Sequence, residues 1–151
     1  MSTLIGTELS LASLLEDFQR VEVEALEACH AARAHLHGTL PQMCVAGLER
    51  LHEHQLERLW AMARSGGAGR PGEGTDHKAR TVGHIHHADA TGGDYAVLAA
   101  VDEAETDAVA AYERALESTT LPASLKPAFE VALKDLRRAR NRLEATARTI
   151  A

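Results

Sequence analysis

The stretch Tyr95–Leu116, YAVLAAVDEAETDAVAAYERAL, decides the fold. Its apolar residues Tyr95, Leu98, Val109, Tyr112 and Leu116 recur at helical spacing, as on one buried stripe of an α-helix. Continuing that spacing through the gap between Leu98 and Val109 lands on Asp102 and Glu105. Two carboxylates one turn apart therefore stand where the pattern assigns core. An ionised carboxylate buried without a partner costs several kcal/mol, so each one requires a metal ion, a cation or a proton.

Working outward, the chain before this stretch reads as an antiparallel helical pair. The first helix starts near Thr7 to Ser13, with Ser13-Leu14-Leu15-Glu16 as a capping box. It runs to His37 and ends at Gly38, expected as a left-handed cap. Its inner stripe is Leu11, Leu15, Phe18, Glu22, Ala25, Cys29, Ala32 and Leu36, with Glu22 as the polar intruder. Thr39-Leu40-Pro41-Gln42 opens the second helix, with Thr39 as cap and proline in the first turn. This helix carries Val45, Leu48, Leu51, His52, Leu56, Leu59 and Met62 and stops at Ser65-Gly66-Gly67. His52 lies on or beside the buried stripe, and Glu49 three residues earlier completes one Glu-x-x-His.

Residues 65–93 form a Gly- and His-rich crossover, SGGAGRPGEGTDHKARTVGHIHHADATGG, long for a joint between helices. It must return the chain along the second helix, roughly 35–40 Å at 1.5 Å per residue. A short helix between Asp76 and Ala90 is expected within it, with Val82 and Ile85 packing inward. Asp94 is the expected cap of the third helix, and Thr120-Leu121-Pro122 the expected start of the fourth. The stripe of that last helix, Leu125, Phe129, Ala132, Leu136, Ala139, Leu143 and Ile150, has no polar member. Its outer face is basic while the first helix is acidic, which suggests complementary neighbours and at least a homodimer.

Composition narrows the function classes. With 151 residues, 45% hydrophobic and only 3% aromatic, the chain favours one domain (1–151) of close-packed helices over a β-sandwich. A net charge of −6 argues against a nucleic-acid binder. No apolar run approaches the roughly 20 residues of a membrane span. The N-terminal MSTLIGTELS has no secretory character, so a cytoplasmic protein with reduced Cys29 and Cys44 is expected.

Helix midpoints estimated from these boundaries fall near Glu22, His52, Glu105 and Asp135. Three of the four are the polar residues that interrupt a core stripe, so they are expected to meet at one level. Oxygen and imidazole donors together suit iron, manganese or zinc.

Glu22, the Glu-x-x-His of Glu49 and His52, and the acids of the third helix resemble part of the carboxylate–histidine pattern of ferritin-like di-iron proteins. More closely, LLEDFQRVEVEAL, TVGHIHH and AVDEAETDAVAAYERALESTTLPASLK resemble a branch of bacterial ferritin-like proteins of about this length. The resemblance implies an all-α, ferritin-like four-helix bundle with one long crossover between its second and third helices. A complete di-iron site needs a second Glu-x-x-His on the fourth helix. Here FEVALKDLRRAR has none, since Glu130 is followed three residues later by Leu133. The expected site is therefore partial or vestigial, not that of an active oxidase. Its metal ligands would be Glu22, His52, Asp102 and Glu105, with Glu49 as an additional candidate. The alternative is a non-catalytic interaction bundle. In it Glu22 pairs with Arg137 or Arg138, His52 bonds Glu105, and the polar layer fixes helix register. His77, His84, His86 and His87 crowd the crossover, where a solvated cluster is the simpler expectation.

Overall fold

The computed structural model describes residues 10–65 and 75–151, with side chains at all of these except 75–84, 86 and 91. The described chain is all helical: α1 Leu11–His35, α2 Thr39–Ser65, α3 Thr75–Glu117 and α4 Lys126–Ile150. It contains no strand among the described residues. No helix among them is long and apolar enough to cross a membrane.

Cross-helix contacts fix the directions. Glu22 meets His52, and Arg33 meets Glu49, so α1 and α2 are antiparallel. Tyr112 reaches Glu22 and Asp89 reaches His35, which sets α3 antiparallel to α1. Arg140 pairs with Asp102 and Arg137 with Glu113, so α4 is antiparallel to α3. It follows that α2 and α3 run parallel, as a long crossover requires. Each of α1 and α4 packs against both α2 and α3.

The helix ends use different residues from those the sequence suggested. Ser10, not Ser13, caps α1, its hydroxyl accepting from the Ser13 N–H at 3.2 Å. The joint after α1 turns at Leu36 in an extended conformation, and Gly38 is not left-handed. What Gly38 supplies is room, since a Cβ there would lie 3.1 Å from both Asp94 Oδ2 and Pro41 Cδ. Gln42, in the first turn of α2, serves the end of the preceding helix. Its amide donates to the carbonyls of Arg33 and Leu36 at 2.8 and 2.7 Å, satisfying the exposed end of α1. Asp94 likewise turns to this joint, accepting the N–H groups of His37 and Gly38 at 2.9 and 2.7 Å. Thr120-Leu121-Pro122 belongs to a turn in which Leu125 N–H bonds the Pro122 carbonyl, and Pro127 is the proline of the first turn of α4. Leu121 is drawn into the core at 3% exposure, so helix could not begin there without losing that anchor.

The expected crossover helix is present as the part of α3 before Gly93, where the backbone breaks at φ 62° and ψ −151°. Ile85 from this part is fully buried. Val82, His77, His84 and His86 fall outside the described side chains, and His87 is exposed.

The core divides in two. One cluster gathers Leu14, Phe18, Tyr112, Phe129 and Leu136, with Phe18 at 4.6 Å from Tyr112 and 5.1 Å from Phe129 between ring centroids. The other gathers Cys29, Val45, Leu48, Ile85, Val101 and Leu143. Glu22, His52 and Glu105 lie between them.

Candidate functional site

Glu22, His52 and Glu105 are all 0% exposed. Each reaches this layer from the middle of a helix whose stripe is otherwise apolar, so the same periodicity that packs the core carries them into it. His52 bridges the two acids. Its Nδ1 lies 2.6 Å from Glu22 Oε2, and its Nε2 lies 2.8 and 3.0 Å from the two oxygens of Glu105. Tyr112 donates its hydroxyl to Glu22 Oε1 at 2.6 Å. Gln55, buried beside it, donates to the Ala132 carbonyl of α4 at 3.3 Å.

The electrostatics follow from this geometry. Burial opposes a charge on His52, but the charges of Glu105 and Glu22 and the hydrogen bonds to them outweigh it, holding its pKa well above the usual range. The imidazolium form has two N–H donors, one for each carboxylate. Burial and the adjacent Glu22 charge push the Tyr112 phenol upward, so it stays a donor. Glu22 thus has a separate donor for each oxygen. Glu105 has a single His52 N–H shared by both of its oxygens, the only donor to it among the described residues.

Two expected ligands lie elsewhere. Asp102 is on the α3–α4 seam with its side chain 28% exposed, and Arg140 holds it at 2.9 and 3.3 Å. It sits one turn before Glu105, about 60° around the helix, enough to leave the buried layer. Glu49 faces outward between α1 and α2, held by Arg33 at 2.8 Å and His30 at 3.0 Å. Arg137 does not reach Glu22; it pairs with Glu113.

Three members of the layer do not stand out as polar interruptions in the sequence: Cys29 and Tyr112 satisfy the apolar stripe, and Gln55 follows His52 by one turn. Cys29 is 0% exposed, and its sulfur, a His52 nitrogen and a Glu105 oxygen all lie within 4.8 Å of one another. Burial, with the charges of Glu105, Glu49 and Glu22, pushes the Cys29 thiol well above its ordinary pKa in the metal-free protein. Tyr112 and Gln55 complete the set. The signal that finds them is helical phase: Cys29 is seven residues after Glu22, Tyr112 seven after Glu105, and Gln55 three after His52.

The donors present can be matched to metal chemistry. A di-iron centre does not fit, because α4 faces the interior with Phe129, Ala132, Leu133, Leu136, Ala139 and Leu143 and offers no ligand. A single ion fits better: His52 and Glu105 are adjacent, and Glu22 on the far ring nitrogen is the outer partner that metal-bound histidines use. A small half-open pocket of about 20 Å³, lined mainly by apolar side chains such as Leu59, Met62 and Phe129, reaches Tyr112 and Gln55.

No protein-family model, no curated protein and no solved structure matches this chain at a significant level.

Proposed function

We propose that this protein is a ferritin-like four-helix bundle that holds one divalent transition-metal ion in its middle layer, through His52 and Glu105, and is a metal-binding protein rather than a di-iron oxidase. The observation that carries this reading is the charge ledger of a dry site. Two carboxylates face one imidazole, and Glu105 has half the donors of Glu22. A buried anion so poorly matched is costly, and a divalent ion between Nε2 and Glu105 removes the mismatch. Bound there, the ion would supply positive charge and Lewis acidity. Glu22 orients the ring through Nδ1, Tyr112 holds Glu22 in place, and the apolar face of α4 excludes water. The two free cysteines suit a reducing compartment, and the opposed charge biases of α1 and α4 favour a homodimer, which light scattering across salt concentrations would measure.

The test is elemental analysis of protein purified without an affinity tag, followed by melting after chelation with and without iron, manganese or zinc. Stabilisation of the parent by a metal, absent in Glu105→Gln, supports the site, because a ligand that binds only the folded state raises its stability. A second reading has its own support: His52 spans both acids at hydrogen-bond distance without any ion. On that reading the layer fixes helix register, no metal changes any melt, and Glu105→Gln is tolerated.

A further inference from the structure

We infer that Cys29 is a third ligand of this ion and that the site selects a thiophilic divalent cation, zinc, over iron or manganese. This rests on the reading of His52 and Glu105 as ligands and adds a residue and a metal to it.

Cys29 Sγ, a His52 nitrogen and a Glu105 oxygen already converge within 4.8 Å, all three from fully buried side chains. Zinc bonds of about 2.0–2.3 Å place neighbouring donors some 3–4 Å apart, so a small inward shift of side chains closes the set. One sulfur, one nitrogen and one carboxylate with a fourth position open is a donor set zinc accepts, and thiolate is the soft member that disfavours manganese and ferrous iron. The total charge of the layer is unchanged by binding, but the ion now sits against the groups that carry its counter-charge. Binding releases the Cys29 thiol proton and the Nε2 proton of His52 to solvent, leaving a divalent ion against thiolate and Glu105. The Glu22 charge stays with its own two donors, Tyr112 and the Nδ1–H of His52.

The other grouping of donors, His30, Glu49 and Glu53, does not compete. It lies at the surface, and the Arg33 guanidinium already occupies Glu49 at 2.8 Å, a cation where another cation would have to sit.

The experiment uses the full chain, untagged, chelated and kept reduced with a non-thiol reductant. Cobalt is titrated in and then displaced with zinc. The parent is expected to show the near-ultraviolet charge-transfer absorption of a cobalt–thiolate bond, abolished by zinc. Cys44→Ala should keep the band. Cys29→Ala, or Cys29→Ser if the alanine variant fails to fold by circular dichroism, should lose it. Zinc affinity should then fall by more than the roughly 10- to 100-fold that loss of an outer-shell partner costs. Tyr112→Phe provides that outer-shell comparison. Cobalt and zinc bound equally by parent and Cys29 variant, with no thiolate band, would overturn the inference while leaving the His52–Glu105 site standing. No binding of either metal by the parent would overturn both. A band that survives in the Cys29 variant and vanishes in Cys44→Ala would assign the thiolate to the wrong cysteine and refute the inference.

Discussion

Deleting one oxygen atom tests whether the middle layer carries a buried anion. Tyr112→Phe keeps the ring against Phe18 and Phe129, at centroid distances of 4.6 and 5.6 Å, and removes the hydroxyl that donates to Glu22 at 2.6 Å. The hydroxyl's other acceptor, Gln55 Oε1 at 3.4 Å, is a weak contact that adds little. Hydrogen bonds to charged groups contribute about 1.5–3 kcal/mol net, against about 1 kcal/mol for neutral pairs. With both partners buried, Glu22 keeps only His52 as donor among the described residues, so a loss of about 2–3 kcal/mol is expected. At about 2–4 °C per kcal/mol for a chain of this size, the melting temperature should fall by about 4–12 °C. Urea unfolding followed by far-ultraviolet circular dichroism, in chelator at neutral pH, gives the free energy if the slope with denaturant is unchanged. The decisive comparison is a double-mutant cycle. In a Glu22→Gln background the hydroxyl meets a neutral amide, its removal should cost only about 1 kcal/mol, and a coupling of about 1–2 kcal/mol should appear. A Tyr112→Phe protein as stable as the parent, or costs that simply add, would refute the claim that Glu22 is an anion held by Tyr112.

Gly93→Ala should destabilise the protein by about 1–3 kcal/mol, because φ 62° with ψ −151° is a region side chains avoid. No atom lies within 4 Å of the added Cβ, so the effect is one of backbone alone, and an unchanged melting temperature would deny the break. Asp94 is buried enough to resist its charge, yet the His37 and Gly38 N–H bonds outweigh this and hold its pKa below the ordinary 3.8. A lowered folded pKa contributes stability that is complete above the unfolded value and is lost as pH falls through the folded one. The parent should therefore lose more stability than Asp94→Asn between about pH 5 and pH 2, and parallel acid limbs would contradict this. Asp102→Ala breaks a part-exposed ion pair with Arg140 and should cost about 1 kcal/mol or less. The same variant should bind zinc as the parent does, so calorimetry showing lost binding would put Asp102 back among the ligands.

How much of this the sequence contained depends on what kind of residue carried the signal. Three- and four-residue spacing located all four helical stretches, because an apolar stripe is required wherever a helix packs. Glu22, His52 and Glu105 were legible as polar interruptions of that stripe at matching heights. Asp102 was misread for the converse reason: the stripe is about 100° wide, and a carboxylate at its edge is spelled like one at its centre. Only Arg140, thirty-eight residues on, decides that Asp102 turns outward. Cys29 and Tyr112 stayed hidden because they satisfy the apolar pattern and present their sulfur and hydroxyl only in three dimensions. The start of α4 was misplaced because Pro122 and Pro127 both suit a helix beginning, and burial of Leu121 chooses between them.

The position of the polar layer links its two readings. It lies between two apolar clusters, and Glu22, His52 and Glu105 are fully buried there. A slip of α2 by one turn against α1 and α3 would bring Gln55, Leu56 or Leu48 to the height of His52. Glu105 would then lose its only donor among the described residues, and Glu22 would keep Tyr112 but lose the imidazole. Leaving a buried carboxylate unpaired costs several kcal/mol, so the His52 contacts would oppose such a slip whether or not an ion is bound. Register and metal binding therefore do not compete for these side chains. What separates the two is the neutraliser of Glu105, a proton on Nε2 in one case and a divalent ion in the other. Glu22 is satisfied in both, by the same ring nitrogen and the same tyrosine. That asymmetry makes Glu105, and not Glu22, the residue whose substitution distinguishes a metal site from a structural layer.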